Sequence, residues 1–369
     1  MALTSGSLVA VVVALLLVVF VAAVLDLPRL RHRWASVTAR GAKVAVVAAL
    51  AVLVSALVLN DQYLFYVSWS DLAGSAPSGT TTTVGEASAV WGTAVAGAGL
   101  ATLRVPATLP ALPAPGRRRQ TFSVASTSLG QRVQVVVELP PGYDPSSPRA
   151  YPVVLGLHGF PSTPLSYVQA GLLAAEEQQA AAGRLAQAVV VIPQINAPRT
   201  YDSECVDGGA GGPQVDTWLA RELPRWVVEH FRVRTDRTSW AAVGYSFGGW
   251  CAASLAVRHP DVYGAFVSFQ SYFRPDFGTT VAPAVPHLTG YDLVRLERRS
   301  PVAVAGWVET SKQDSLSYPS TVAFLRAARA PTALTAVVLQ RGGHRESVWQ
   351  PLMPRAFQWL GRSVPGFHP

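Results

Sequence analysis

Two stretches of the chain carry almost no polar positions. Residues 8–25 form an unbroken apolar run, and residues 44–59 form a second one closed by Asn60 and Asp61. The first is long enough to cross a bilayer as a helix, and the second is slightly shorter. Neither has a polar face to turn toward water, so neither reads as an amphipathic helix of a soluble core. Arg29, Arg31, Arg33, Arg40 and Lys43 lie between them. Cations concentrate on the cytoplasmic side of a membrane, so this loop is expected inside, with the N-terminus and everything after residue 59 outside. A cleaved signal peptide is the competing reading of the first run. Residues 1–7 hold no Lys or Arg, where a signal peptide begins with a basic patch, so two retained helices are expected. Residues 87–103 are also uncharged, but Ala, Gly, Ser and Thr dominate them, and a linker or surface helix is expected rather than a third span.

Past the second run, residues 61–72 are aromatic and read as interfacial, and residues 75–83 are rich in Ser, Thr and Gly and read as flexible. Pro106, Pro110, Pro113 and Pro115 make a stiff spacer. From residue 120 the pattern changes to alternating strands and helices. Strand-like runs cover 121–126, 132–139, 152–157, 188–192, 240–243, 265–269, 302–308 and 334–339. Helix-like runs cover 166–184, 215–231, 249–258, 291–298, 321–328 and 347–360. Two strands in series followed by strands separated by helices predict an α/β fold with a mostly parallel sheet and an antiparallel edge. The expected organisation is a two-helix membrane anchor over 1–61, an extracytoplasmic linker over 62–118 and a catalytic domain over 119–369.

Composition adds a net charge of +8, which suits work at an anionic membrane surface. No stripe of basic and aromatic residues supports nucleic-acid binding. The two cysteines, Cys205 and Cys251, are even in number and belong to the part expected outside, where a disulfide forms; two buried thiols are the alternative. Asp202, Glu204 and Asp207 surround Cys205. Without histidine ligands or regular spacing they read as loop charges or rim contacts for a polar head group, and no metal or organic cofactor is expected.

The chemistry concentrates at Gly244-Tyr245-Ser246-Phe247-Gly248-Gly249, a G-x-S-x-G pattern between a strand-like and a helix-like run. Such a turn lifts a serine hydroxyl above the sheet, and the following helix aims its first amides at a developing oxyanion. Serine needs a base. His344, in Arg341-Gly342-Gly343-His344 after the last strand, meets the order Ser, acid, His; His32, His230, His259, His287 and His368 fit less well. The acid lies after the strand ending at Val308, as Asp314 or, right at the strand end, Glu309. One oxyanion amide is expected at Phe247 and the other in Leu157-His158-Gly159-Phe160, at Phe160 or Gly159.

Over about residues 120–360 the chain resembles the putative-esterase branch of the α/β-hydrolases, which includes esterase D type enzymes and actinobacterial mycolyltransferases. The matching pieces are Leu139-Pro140-Pro141-Gly142-Tyr143-Asp144, Leu157-His158-Gly159, Glu222-Leu223-Pro224, the serine motif, His259-Pro260-Asp261 and Gly342-Gly343-His344. Most members of that branch carry a small residue or Met where Phe247 stands. The resemblance implies an α/β-hydrolase fold, Ser246, Asp314 and His344 as a triad, and an actinobacterial envelope setting. The N-terminal third lies outside the resemblance; taken with the two apolar runs, the expectation is a membrane-anchored serine esterase or acyltransferase acting on a lipid or envelope acyl ester. A serine peptidase on the same fold and a silent binding domain are the alternatives.

Overall fold

A computed structural model describes residues 3–26, 33–74, 78–97, 99–196, 201–209, 211–277 and 288–369. Arg29 and Arg31 of the cationic loop, with His32 and His287, lie outside the described residues. Contacts divide the chain into two units. One holds the chain up to residue 78 together with 313–315 and 340–348; the other holds 79–312, 316–339 and 349–369.

The first unit is built on two long helices, α1 (Gly6–Asp26) and α2 (Arg33–Tyr63). Their apolar stretches are long enough to cross a membrane. Val11, Leu15, Leu17, Val18 and Phe20 of α1 and Val44, Val52 and Leu53 of α2 are exposed. A small apolar cluster is covered: Leu3, Val12 and Leu57, with Leu8, Val9, Leu50, Val54 and Tyr66 against it. Apolar side chains exposed at this density make the two helices candidate membrane spans.

The second unit carries a nine-stranded sheet. Its strands are β1 (Gly79–Val84), β2 (Arg119–Ser126), β3 (Gln131–Glu138), β4 (Val153–Leu157), β5 (Val189–Pro193), β6 (Trp240–Tyr245), β7 (Ala265–Phe269), β8 (Ala305–Ser311) and β9 (Ala333–Leu339). The order is β1-β9-β8-β7-β6-β4-β5-β3-β2. From β5 to β9 all neighbours are parallel, and β2, β3 and β1 are antiparallel to theirs. β4 to β7 are buried at every position, as expected of parallel strands covered on both faces. β2 alternates buried and open positions because one of its faces meets solvent.

The stretch expected to be linker is largely structured. Gly79–Val84 joins the sheet along β9, with Thr80 opposite Val338 and Val84 opposite Leu334. Backbone pairing, not side-chain burial, makes this an edge strand, which is why its Thr-rich composition read as flexible. Val90 and Leu100 are buried, and Trp91 Nε1 donates to the Ser363 carbonyl at 2.8 Å. Among the described residues of 87–103, only Ala87–Trp91 is helical. The proline-rich stretch is also tied down: Gln120 exchanges hydrogen bonds with the Ala114 backbone, and Arg232 donates to the Pro106 carbonyl. The run 166–184 breaks into Pro164–Gln169 and Leu172–Ala181, because Gly171 adopts φ +89° between them.

Candidate active site

Ser246 stands between β6 and the helix Phe247–Arg258, at φ 53° and ψ −125°. A side chain rarely adopts this conformation, and it persists only where the surroundings over-determine it. They do so here. The Ser246 amide donates to the Phe269 carbonyl at 2.8 Å, and its carbonyl accepts from Ser271 Oγ at 2.8 Å and from the amides of Gly249 and Trp250 at 3.0 Å. The motif glycines answer to close backbone approach. A Cβ on Gly244 would sit 2.4 Å from the Gly248 backbone, and one on Gly248 would sit 2.2 Å from the Leu157 carbonyl oxygen.

The loop after β4 is oriented by a buried histidine. His158 Nδ1 donates to the Gly159 carbonyl at 2.7 Å, and Nε2 accepts from the Ile195 amide at 3.4 Å. Burial pushes its pKa down to about 4, so the ring is neutral and can hold both bonds at once. The Gly159 carbonyl and the Phe160 amide share one planar peptide and point in opposite directions. Holding the first against His158 therefore turns the second away from it. The Phe160 and Phe247 rings lie 5.7 Å apart, so the two residues expected to supply oxyanion amides neighbour each other.

A disulfide joins Cys205 to Cys251, tying the loop around residue 205 to the helix that follows Ser246. Glu204 is buried rather than a rim charge. It accepts from Tyr272 Oη at 2.7 Å and from the Asp276 amide at 3.1 Å, and burial raises its pKa well above the carboxylate range. Asp207 caps the backbone and hydroxyl of Thr217 at 2.9 and 2.7 Å. Among the described residues, no three His, Cys, Asp or Glu side chains are arranged to hold a metal ion.

In the first unit, His344 Nδ1 lies 2.8 Å from Asp314 Oδ2. Asp314 is fully buried and the His344 side chain is 15% exposed. With Nδ1–H donating to the carboxylate, Nε2 is left as the basic nitrogen. Gln313 Oε1 accepts from the Gly342 amide at 3.1 Å, so the acid loop also holds the histidine loop by its backbone. Glu309, the alternative acid, lies within β8 and is buried. The strand runs past Val308 because Glu309, Thr310 and Ser311 stay in register with Val337, Val338 and Leu339.

Sequence reasoning missed Ser271, which holds the Ser246 carbonyl, and Asp71, which accepts from the Gly343 amide at 3.2 Å. Nothing local marks either residue, since each acts on a partner far along the chain.

A family model described as putative esterase matches residues 126–360, more than half of the chain. The chain belongs to this putative esterase family. Among curated relatives, an uncharacterized protein of Corynebacterium glutamicum is 25% identical over 246 residues, covering 61% of this chain and 56% of that protein. The chain thus spans little more than half the length of that relative. The MPT51 antigen of Mycobacterium leprae is 40% identical over 65 residues, covering 18% of this chain and 21% of the antigen. Among solved structures, a ferulic acid esterase superposes with a TM-score of 0.57 at 21% identity, over 66% of this chain and 98% of that one. An S-formylglutathione hydrolase of Agrobacterium tumefaciens superposes with a TM-score of 0.54 at 19% identity, over 67% and 95%. These likenesses show an α/β-hydrolase fold.

Proposed function

We propose that the protein is a membrane-anchored serine esterase or acyltransferase that acts outside the cytoplasm on a lipid or cell-envelope ester. The observation that carries the reading is the strained backbone of Ser246 at the head of its helix, together with an imidazole whose Nδ1 is occupied by a buried carboxylate. Ser246 Oγ attacks the acyl carbonyl while its proton passes to His344 Nε2, and Asp314 stabilises the imidazolium. The amides of Phe247 and Phe160 receive the oxyanion; the His158 hydrogen bond that turns the Gly159 carbonyl away supports the second assignment. The tetrahedral adduct collapses to an acyl-enzyme, and the alcohol leaves with the proton from His344. Water or a sugar or lipid hydroxyl then gives its proton to His344 and takes the acyl group, and His344 returns that proton to the departing Ser246 Oγ.

Two helices of membrane-crossing length and the cationic stretch between them support anchoring with the catalytic unit outside. Confinement at the bilayer favours an ester of the membrane or envelope. The test is labelling of the purified full chain with a fluorophosphonate. Ser246 is expected to carry the label, and S246A is expected to lose label and turnover of short p-nitrophenyl esters by several orders of magnitude. Retained turnover rejects the nucleophile. Faster cleavage of peptide amides than of esters would make it a peptidase. Lipid profiles of cells carrying S246A would name the substrate through the ester that accumulates. A tag after Pro369 that resists protease in spheroplasts would reverse the topology.

A further inference from the structure

The loop bearing His344 is gripped by the segment that leaves the second apolar helix. α2 ends at Tyr63, and Leu64 turns the chain with φ 55°. Asn60 braces this turn: its side chain donates to the Tyr66 carbonyl at 2.9 Å and accepts from the Tyr66 amide at 2.7 Å. The Leu64 carbonyl accepts directly from the His344 amide at 2.8 Å. The short helix Trp69–Leu72 then presents Asp71, which is 4% exposed. Asp71 Oδ2 accepts from the Gly343 amide at 3.2 Å, from the Val67 amide at 3.2 Å and from Arg345 Nη1 at 2.7 Å. Its Oδ1 accepts from Arg345 Nη2 at 2.6 Å. Arg345 also donates to the Phe65 carbonyl at 2.6 Å and lies over the Tyr66 ring, 4.3 Å from its centroid. Tyr66 packs in turn on the small cluster between α1 and α2. Each of the residues 343, 344 and 345 is therefore bonded to the segment 64–71. Glycine at 343 is a requirement of the contact, since a Cβ there would meet the Leu64 and Phe65 carbonyl oxygens at 2.3 Å.

We infer that residues 64–72 form a collar that positions the catalytic histidine, with Asp71 as its principal positioning residue, so that the membrane anchor is part of the catalytic apparatus as well as a tether. The inference rests on His344 being the base. It is physically economical. A grip on the backbone amides of Gly343 and His344 and on the Arg345 side chain, added to the Asp314 bond at the ring, fixes both the position and the rotation of the imidazole. A base held loosely loses rate steeply, because proton transfer depends on near-contact geometry. A bidentate arginine–carboxylate pair is the arrangement that best holds such geometry. The same chain of contacts links the helix pair to the histidine through Tyr66 and Arg345, so a shift of α2 at its outer end is transmitted to the base.

The test compares full-length wild type with Asp71→Asn and Asp71→Ala in detergent micelles, with active sites titrated by fluorophosphonate. Asn keeps an oxygen for the Gly343 and Val67 amides but loses the charge that holds Arg345; Ala loses both. Turnover of p-nitrophenyl acetate per titrated site is expected to fall about tenfold for Asn and about a hundredfold for Ala, with KM changed less than twofold. A residue that only stabilised the fold would lower the number of titrated sites and leave turnover per site unchanged. Hydrogen exchange supplies a readout independent of catalysis: amides 342–348 should lose protection in both variants, while those of β6 and β7 keep theirs. Unchanged exchange at 342–348, or wild-type turnover per site in Asp71→Ala, overturns the inference. A wild-type protein that neither labels nor turns over ester rejects the proposed reaction instead, and exchange then still decides whether the collar holds the loop.

Discussion

Replacing Gly248 with alanine tests how tightly the serine turn is built. The added methyl would lie 2.2 Å from the Leu157 carbonyl oxygen and 2.5 Å from that of His158. Ordinary contact begins near 3.4 Å, so the helix Phe247–Arg258 must draw back by about 1 Å or the end of β4 must yield. β4 lies inside the sheet, bonded to β5 on one side and β6 on the other, so the helix moves. Overpacking of this kind costs about 1–3 kcal/mol. In a domain of roughly 150–250 residues each kcal/mol lowers Tm by about 2–4 °C. Ser246 heads the same helix, and a displacement of about 1 Å at a reacting group lowers turnover by about 100-fold. G248A should therefore melt several degrees early and hydrolyse p-nitrophenyl acetate about 100-fold more slowly per titrated site. Gly92 provides the control: no atom lies within 4 Å of a Cβ placed there and its φ is −83°, so G92A should match wild type in both assays. Wild-type Tm and turnover in G248A would refute the account of the turn.

Asp314→Asn should lower kcat by about 10⁴ with little change in KM, because the amide presents the wrong partner to His344 Nδ1; an equal or larger loss in Glu309→Gln would move the acid to β8. Removing the disulfide with C205A/C251A should cost about 2–4 kcal/mol of stability, since it closes a loop with a sequence separation of 46, and chemical denaturation of the oxidised and variant forms measures the difference. Glu176 is buried and its pKa is raised to about 8, chiefly by desolvation and then by Glu177. The native state therefore holds a proton that the unfolded chain releases above about pH 4.5, and this group makes stability fall by up to about 1.4 kcal/mol per pH unit between pH 5 and 8. Glu176→Gln should gain stability over wild type steadily as pH rises through that window; a constant difference in Tm across it would reject the assignment.

Much of the candidate site could be named from the sequence because its signals are local. The serine turn needs small residues at fixed offsets and a strand-to-helix switch, and all of these lie within ten positions. The order of serine, acid and histidine is the one that the α/β-hydrolase resemblance implies, so His344 and the loop after β8 could be singled out without coordinates. Glu309 could not be separated from Asp314, because the end of β8 depends on pairing with β9 and Glu309, Thr310 and Ser311 are polar residues inside a buried strand.

What the sequence by itself determined is the two apolar helices, the alternation of strand and helix from residue 120, and the candidate residues for ester chemistry. These follow from periodicity and from the conformational demands of single positions. Only the tertiary structure decided that Gly79–Val84 is an edge strand, that Glu204 is buried against Tyr272, and that Asp71 grips Gly343 and Arg345. Each of these depends on a backbone group or charge meeting a partner between 68 and 274 positions away. Such a pairing leaves no period or motif in the chain, because its energy exists only once both partners have been brought together.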